Sequence, residues 1–231
     1  MNEDNAAVSV KKRRVAVILL MTMVLLGVFP LDVLLPSFPA LAEHFRASPA
    51  DIPLSISRFA VGISLSQLLI GPLSDRMGRK GLLLAGMAVS IIGATGCLLA
   101  TDYSWFLLFR MIQAIGCGCF VLTQALVQDL FAGKERDRLR ILMVTASGIF
   151  ISISPLAGTL LQQALDWPGS FVVFIALAGA VFLKACFFLE NQRPTNVMHR
   201  GIVQSYRVVY RDVGFTGYWL IAAIAFACHF S

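Results

Sequence analysis

The chain has 231 residues, 58% of them hydrophobic and 14% charged, with a mean hydropathy of +0.78; soluble domains carry about 25% charged residues, so a soluble globular fold is excluded. The net charge of +6 sits in short stretches between apolar runs, which makes it a topology signal and not the footprint of a nucleic-acid partner. The five cysteines lie inside apolar runs, and Cys117 and Cys119 have the wrong spacing for zinc or thioredoxin-like chemistry, which excludes a disulfide or metal scaffold.

Stretches free of Asp, Glu, Lys and Arg cover residues 15–31, 59–74, 81–101, 111–128, 141–165, 167–183 and 213–228. A bilayer core of ~30 Å needs about 20 mostly apolar residues per helix, and backbone in lipid must satisfy its own hydrogen bonds, so each span is expected to be helical. One such run would suit the core of a soluble protein; seven in succession would not. The expected spans are 15–36, 53–74, 81–101, 105–130, 141–163, 169–189 and 213 onward. No cleavable leader is expected, because the first run is too long and no small-residue cleavage site follows it. Fifteen of the 19 Lys and Arg fall in alternate gaps: 11–14, 76–80, 134–140 and 193–211. The opposite gaps hold Arg46 alone, so the N-terminus is expected on the cytoplasmic side. Contact with anionic lipid is a second use for the same charges.

In the first span, Asp32 lies about four residues from the outer end. The second holds Arg58 near its outer end and Gln67 deeper. The turn after it reads GPLSDRMGRK, residues 71–80. Gly71 and Pro72 are expected to end the helix and Gly78 to allow the turn. Asp75 and Arg79, four apart, would pair if that segment is helical. The fourth span carries Arg110, Gln113, Thr123 and Gln124, and Asp129 closes it on the basic side. The fifth carries Pro155 and Gly158, expected to kink it and bring it close to a neighbour. Lys184, in the last turns of the sixth, snorkels to the cytoplasmic face.

Charges within a span are rare and mostly functional. Asp32, Arg58 and Arg110 come out at one depth, ~6–9 Å below the outer boundary at 1.5 Å per residue, where a carboxylate and a guanidinium could pair. Interfacial snorkelling is the alternative, strongest for Arg58. Gln67, Gln113, Thr123 and Gln124 are candidates for lining a cavity, although interhelical hydrogen bonding explains them as well. Residues 191–212, polar with Pro194 and four arginines, read as a linker between bundles. That gives a cytoplasmic tail at 1–14, a six-helix bundle at 15–190, the linker, and the start of a second bundle at 213–231, cut inside an apolar run. His44, His199 and His229 have no partner set, and no metal pattern or nucleophile elbow occurs, so neither an enzyme nor a metal or organic cofactor is expected.

The loop G-x-L-S-D-R-x-G-R-K resembles the signature loop of the major facilitator superfamily. Arg110, Gln113 and Gly116 resemble its helix 4 motif R-x-x-Q-G/A-x-G, and Ser154-Pro155-Leu156-Ala157-Gly158 its helix 5 antiporter motif G-P-x-x-G. Asp32-Val33-Leu34-Leu35-Pro36-Ser37-Phe38-Pro39 is similar to the helix 1 pattern of the Bcr/CflA drug-resistance subfamily, D-x-Y-L-P-x-x-P, with Leu34 in place of its Tyr. Trp167 and Phe171 match that subfamily's W-x-x-x-F turn. The resemblance implies an all-α membrane fold: the first six-helix bundle of a twelve-helix transporter working by alternating access, plus the start of helix 7. It implies a bacterial inner-membrane, proton-driven antiporter for small amphipathic molecules such as phenicols or bicyclomycin. Export of a native metabolite (a nucleoside, sulfur compound or siderophore) is the alternative, and so is a half chain inactive without the second bundle from the same gene. Asp32 is then the proton carrier with Arg110 opposing its protonation when close. Asp75, Arg79 and Asp129 form a latch in which Arg79 pairs with Asp129. Small-molecule substrate and membrane lipid are the expected partners.

Overall fold

The computed structural model describes the backbone at 3–48 and 51–188, and side chains at 13–48, 51–74 and 77–188. These belong to one compact unit, Met1–Arg193; the expected linker at 191–212 and the seventh span from 213 lie outside the described residues. All the described elements are helical: α1 (Glu3–Asp32), a 3-10 turn (Leu35–Ser37), α2 (Phe38–His44), α3 (Asp51–Met77), α4 (Arg79–Leu99), α5 (Tyr103–Gly118), a second 3-10 turn (Cys119–Val121), α6 (Leu122–Leu130), α7 (Gly133–Leu165) and α8 (Pro168–Phe188). Together they make six spans long and apolar enough to cross a membrane, with α1 running on through its 3-10 turn into α2 as one of them and α5 through the second 3-10 turn into α6 as another.

Several expected boundaries move, each for a local reason. At 1.5 Å per residue the 30 residues of α1 run ~45 Å, half as long again as a bilayer core of ~30 Å, so its first turns stand outside the core. Pro30, followed by Pro36 and Pro39, stops it at Asp32. The chain then folds the expected outer loop into the 3-10 turn and α2. Gly71 and Pro72 do not end α3, which continues to Met77. Gly71 is exposed with nothing within 4 Å of an added Cβ, so no turn needs it. Ser74 donates its hydroxyl to the Gly71 carbonyl at 2.8 Å, within the turn that carries the helix past Pro72. The break falls on Gly78 alone, at φ 86°, a conformation that needs glycine. The basic residues Lys134, Arg136, Arg138 and Arg140 sit on the first turns of α7, which starts at Gly133, and not in a loop. Asp102 opens α5 by accepting from the Ser104 and Trp105 amides at 3.0 and 3.1 Å.

α4 and α5 make the most extensive contact in the bundle, and α5 also lies along α3. Glycines set the α4–α5 distance. A Cβ on Gly93 would press on the Gln113 backbone, one on Gly116 on the Ser90 backbone, and one on Gly86 on Cys119. α1 packs on α7 and α8, placing Leu20, Met23 and Leu26 in the core with Leu83 and Met87 of α4, Phe106 of α5 and Phe174 of α8. The end opposite the basic turns closes on aromatic rings. Trp167 meets His44, Phe45 and Phe171 at 4.9, 5.7 and 6.2 Å between centroids, and Phe45 meets Phe106 at 5.1 Å.

α7 stands apart in two ways. Its buried residues are only Leu139, Met143, Ser154 and Gly158, and residues such as Ile141, Val144, Ile149, Ile153, Leu156 and Leu160 are exposed along its length. Four of its five hydroxyls donate back to its own carbonyls: Ser147 to Met143, Ser152 to Gly148, Ser154 to Ile151 and Thr159 to Pro155, at 2.9–3.1 Å.

Candidate functional site: a buried arginine at a broken helix

Arg110 projects from α5 and is 1% exposed. One guanidinium nitrogen donates to Gln113 Oε1 at 2.8 Å and another to the Pro30 carbonyl at 3.1 Å. The guanidinium lies 4.1 Å from the Phe59 ring centroid and 5.8 Å from that of Phe171. Its Nε has no hydrogen-bond partner. α1 supplies the Pro30 acceptor because the helix ends two residues later. Gln113, three residues on from Arg110, shares its helix face. A small hollow lined by Phe29, Pro30, Leu34, Arg110, Gln113 and Phe174 surrounds the contact.

The expected ion pair of Asp32 with Arg110 or Arg58 is absent. Among the described residues the ion pairs are Arg13–Glu135, Arg79–Asp129 and Arg136–Asp137. The reason is register: Pro30 and Leu34 face the guanidinium, and Asp32, two residues from each, points elsewhere. Asp32 is half-buried, and its Oδ2 is buried without a hydrogen-bond partner. Arg58 is exposed on α3. Gly158 brings α7 against the same break: a Cβ there would press on the Val33 carbonyl and meet Pro36 Cδ and Cγ at 3.1 Å. Pro155 is exposed within a continuous α7.

At the basic end, Arg79 bonds Asp129 Oδ1 at 2.7 Å and the Ala125 carbonyl at 2.9 Å. It thus ties the start of α4 to the last two turns of α6, where a cation also complements the helix dipole. The Asp75 side chain lies outside the described ones, and the Gly78 break separates it from Arg79. A double-mutant cycle with Arg79→Gln and Asp129→Asn, read by thermal unfolding in detergent, is expected to give a coupling of about 0.5–1 kcal/mol, the size of a partly exposed pair. Zero coupling would make the contact incidental.

A second hollow, about 560 Å³ and open on one side, lies between α1, α3 and the α5–α6 break. Gln67 and Gln124 line it together with Val24, Gly27, Ile63 and Phe120. Of the other two candidates, Gln113 belongs to Arg110, and Thr123 is fully buried with no partner for its hydroxyl. Sequence reasoning missed Phe59, Phe120 and the Pro30 carbonyl; an apolar residue in an apolar run and a main-chain oxygen carry no compositional signal.

The family description matching residues 16–231 is that of the Major Facilitator Superfamily. Among curated relatives, the chain is 32% identical to "Multidrug resistance protein MdtL" of Citrobacter koseri over 74% of this chain and 44% of that one. It is 32% identical to "Multidrug transporter MdfA" of Shigella boydii over 78% and 43%, and 28% identical to "Uncharacterized MFS-type transporter YdgK" of Bacillus subtilis over 91% and 54%. The chain thus spans about half the length of the curated relatives it matches. The crystal structure of the human organic anion transporter MFSD10 superposes with a TM-score of 0.60 at 22% identity, over 77% of this chain and 48% of that one, a likeness of fold.

Proposed function

This chain belongs to the Major Facilitator Superfamily, and from that premise we propose that it is the first bundle of a proton-coupled antiporter of the Bcr/CflA kind. A second six-helix bundle completes the cavity. The protein sits in the bacterial inner membrane with its N-terminus cytoplasmic and exports small amphipathic compounds, phenicols or bicyclomycin among them. Relatives named as multidrug transporters support the substrate class.

The observation that carries the coupling is the unpaired couple at the break in α1. Arg110 is buried with two neutral acceptors and no carboxylate, and Asp32 has a buried oxygen with no donor. A proton on Asp32 leaves Arg110 on Pro30 and Gln113. Losing that proton creates a carboxylate that competes for the guanidinium, since a charged acceptor outbids a carbonyl. Arg110 leaves the Pro30 carbonyl, and α1 is freed where Gly158 of α7 presses on it. Proton release thereby moves the helix that lines the second hollow. The Arg79–Asp129 pair latches the basic end in one of the two states.

The test is proton flux in inside-out vesicles, comparing this chain, the same chain continued by a second bundle, and that longer form with Asp32→Asn. Phenicols and a metabolite panel are added to energised vesicles while an internal pH dye is read. Proton efflux triggered by substrate in the long form and lost in Asp32→Asn is the expected result. Efflux that persists in the Asn variant removes Asp32 from the coupling, and silence of all inserted forms removes the antiport reading.

A further inference from the structure

Away from Arg110, α1 and α8 diverge along one flank of the bundle and leave an open hollow of about 510 Å³. Val15, Ile18 and Thr22 of α1 face Ala180, Val181 and Lys184 of α8 across it. From Val15 to Thr22 is two turns, so the hollow is ~10 Å long. Its polarity is graded. Thr22 spends its hydroxyl on the Ile18 carbonyl at 2.9 Å, which leaves Lys184 as the single charged residue of the lining. Lys184 is exposed and makes no hydrogen bond or ion pair among the described residues. The two helices run antiparallel, so Val15 and Lys184 mark the end of the hollow nearest the basic turns, and Thr22 and Ala180 mark the deeper end. Arg14 stands four residues before Ile18 and eight before Thr22, in the same row of α1, and is exposed.

We propose that this hollow is a binding site for one anionic phospholipid of the leaflet facing the basic end, its phosphate on Lys184 and part of one acyl chain along Val15, Ile18 and Val181. Charge complementarity selects this occupant: the lining offers one cation at the rim, no anion, and an apolar floor leading inward. A peptide helix needs a longer groove than two turns, and a second copy of this face would bring Lys184 against another cation. An ammonium–phosphate contact is a strong, charge-assisted one, and a lysine at an anionic membrane surface contributes about fivefold in occupancy. The site rests only on the chain being embedded in a membrane and is independent of the proton-coupled reading.

Native mass spectrometry of the full chain, released from detergent with equal phosphatidylglycerol and phosphatidylcholine, tests it without any transport measurement. The parent is expected to retain one phosphatidylglycerol about fivefold over phosphatidylcholine. Lys184→Arg should keep that preference and Lys184→Gln should abolish it, with the folded fraction unchanged because the side chain is exposed. Ala180→Phe, which fills the hollow, should reduce retention of both lipids. Lys134→Gln, an exposed cation at the same end but outside the hollow, should change nothing. Equal losses in Lys184→Gln and Lys134→Gln would show diffuse attraction and overturn the site. Full retention in Ala180→Phe would overturn it as well, and so would dimers in place of lipid adducts that vanish in that variant.

Discussion

Arg110→Met is expected to unfold at the same temperature as the parent bundle or a few degrees higher, and to remove transport from the two-bundle form. Holding the guanidinium in place gains hydrogen bonds to Gln113 and the Pro30 carbonyl and a stack on Phe59. The hydrogen bonds are worth ~1.5–3 kcal/mol each when the donor is charged, and the desolvated stack about 2 kcal/mol. Against this stands the desolvation of a fully buried cation, several kcal/mol even after relaxation, with no carboxylate among the described residues to repay it. Methionine fills much of the same volume without that cost. Arg110→Ala leaves a cavity beside Phe59 and should unfold several degrees lower. Arg110→Lys keeps the charge but lacks the planar fork that reaches two acceptors, and should not restore transport. Thermal unfolding followed by size exclusion separates the cases. A large fall in midpoint for Met would make Arg110 a structural residue and not a functional one.

Gly116→Val is expected to yield little or no folded protein, the largest stability effect in the bundle. Its branched side chain would enter the backbone of α4 at Ser90 and Gly86, and neither helix can yield without carrying Arg110 and Gln113 out of place. Overpacking of flexible side chains costs about 1–3 kcal/mol; backbone against backbone has no rotamer to relieve it. Gly148→Ala serves as the control, since nothing lies within 4 Å of its added Cβ and alanine is the better helix residue by about 0.5–1 kcal/mol. Equal folded yields of the two variants, by fluorescence-detected size exclusion, would show that α4 and α5 are not held by that contact.

The six spans were legible because lipid demands a charge-free run of fixed length, a property of composition. What decides a helix end is finer. Pro72 reads as a stop in water, yet α3 passes it; Pro30 stops α1 only with Pro36 and Pro39 close behind. The 3-10 turn at Cys119–Val121 is invisible because Cys, Phe and Val suit a helix as well. Asp32, Arg110 and Gln113 were legible as polar groups inside apolar runs, but their pairing was not. Equal depth fixes one coordinate of a side chain, and the azimuth around the helix, which turns Asp32 away from Arg110, comes only from packing. The Arg79–Asp129 contact joins residues 50 apart in sequence; it was reached by resemblance, and no spacing rule would have supplied it.

The self-contained hydroxyls of α7 bear on adhesion. A neighbour that covered its exposed face would displace lipid tails as apolar as itself, so the contact gains almost nothing from leaving solvent. It would find few loose donors to grip, because Ser147, Ser152 and Thr159 have already spent theirs on their own helix, and of the uncharged polar side chains only Thr145 and Gln163 stand exposed on α7 with a donor to offer. Such a surface is a low-friction bearing: whatever rests on it can be lifted and replaced many times with little work in either direction, and the energy that sets its position has to be applied elsewhere, at the charged ends.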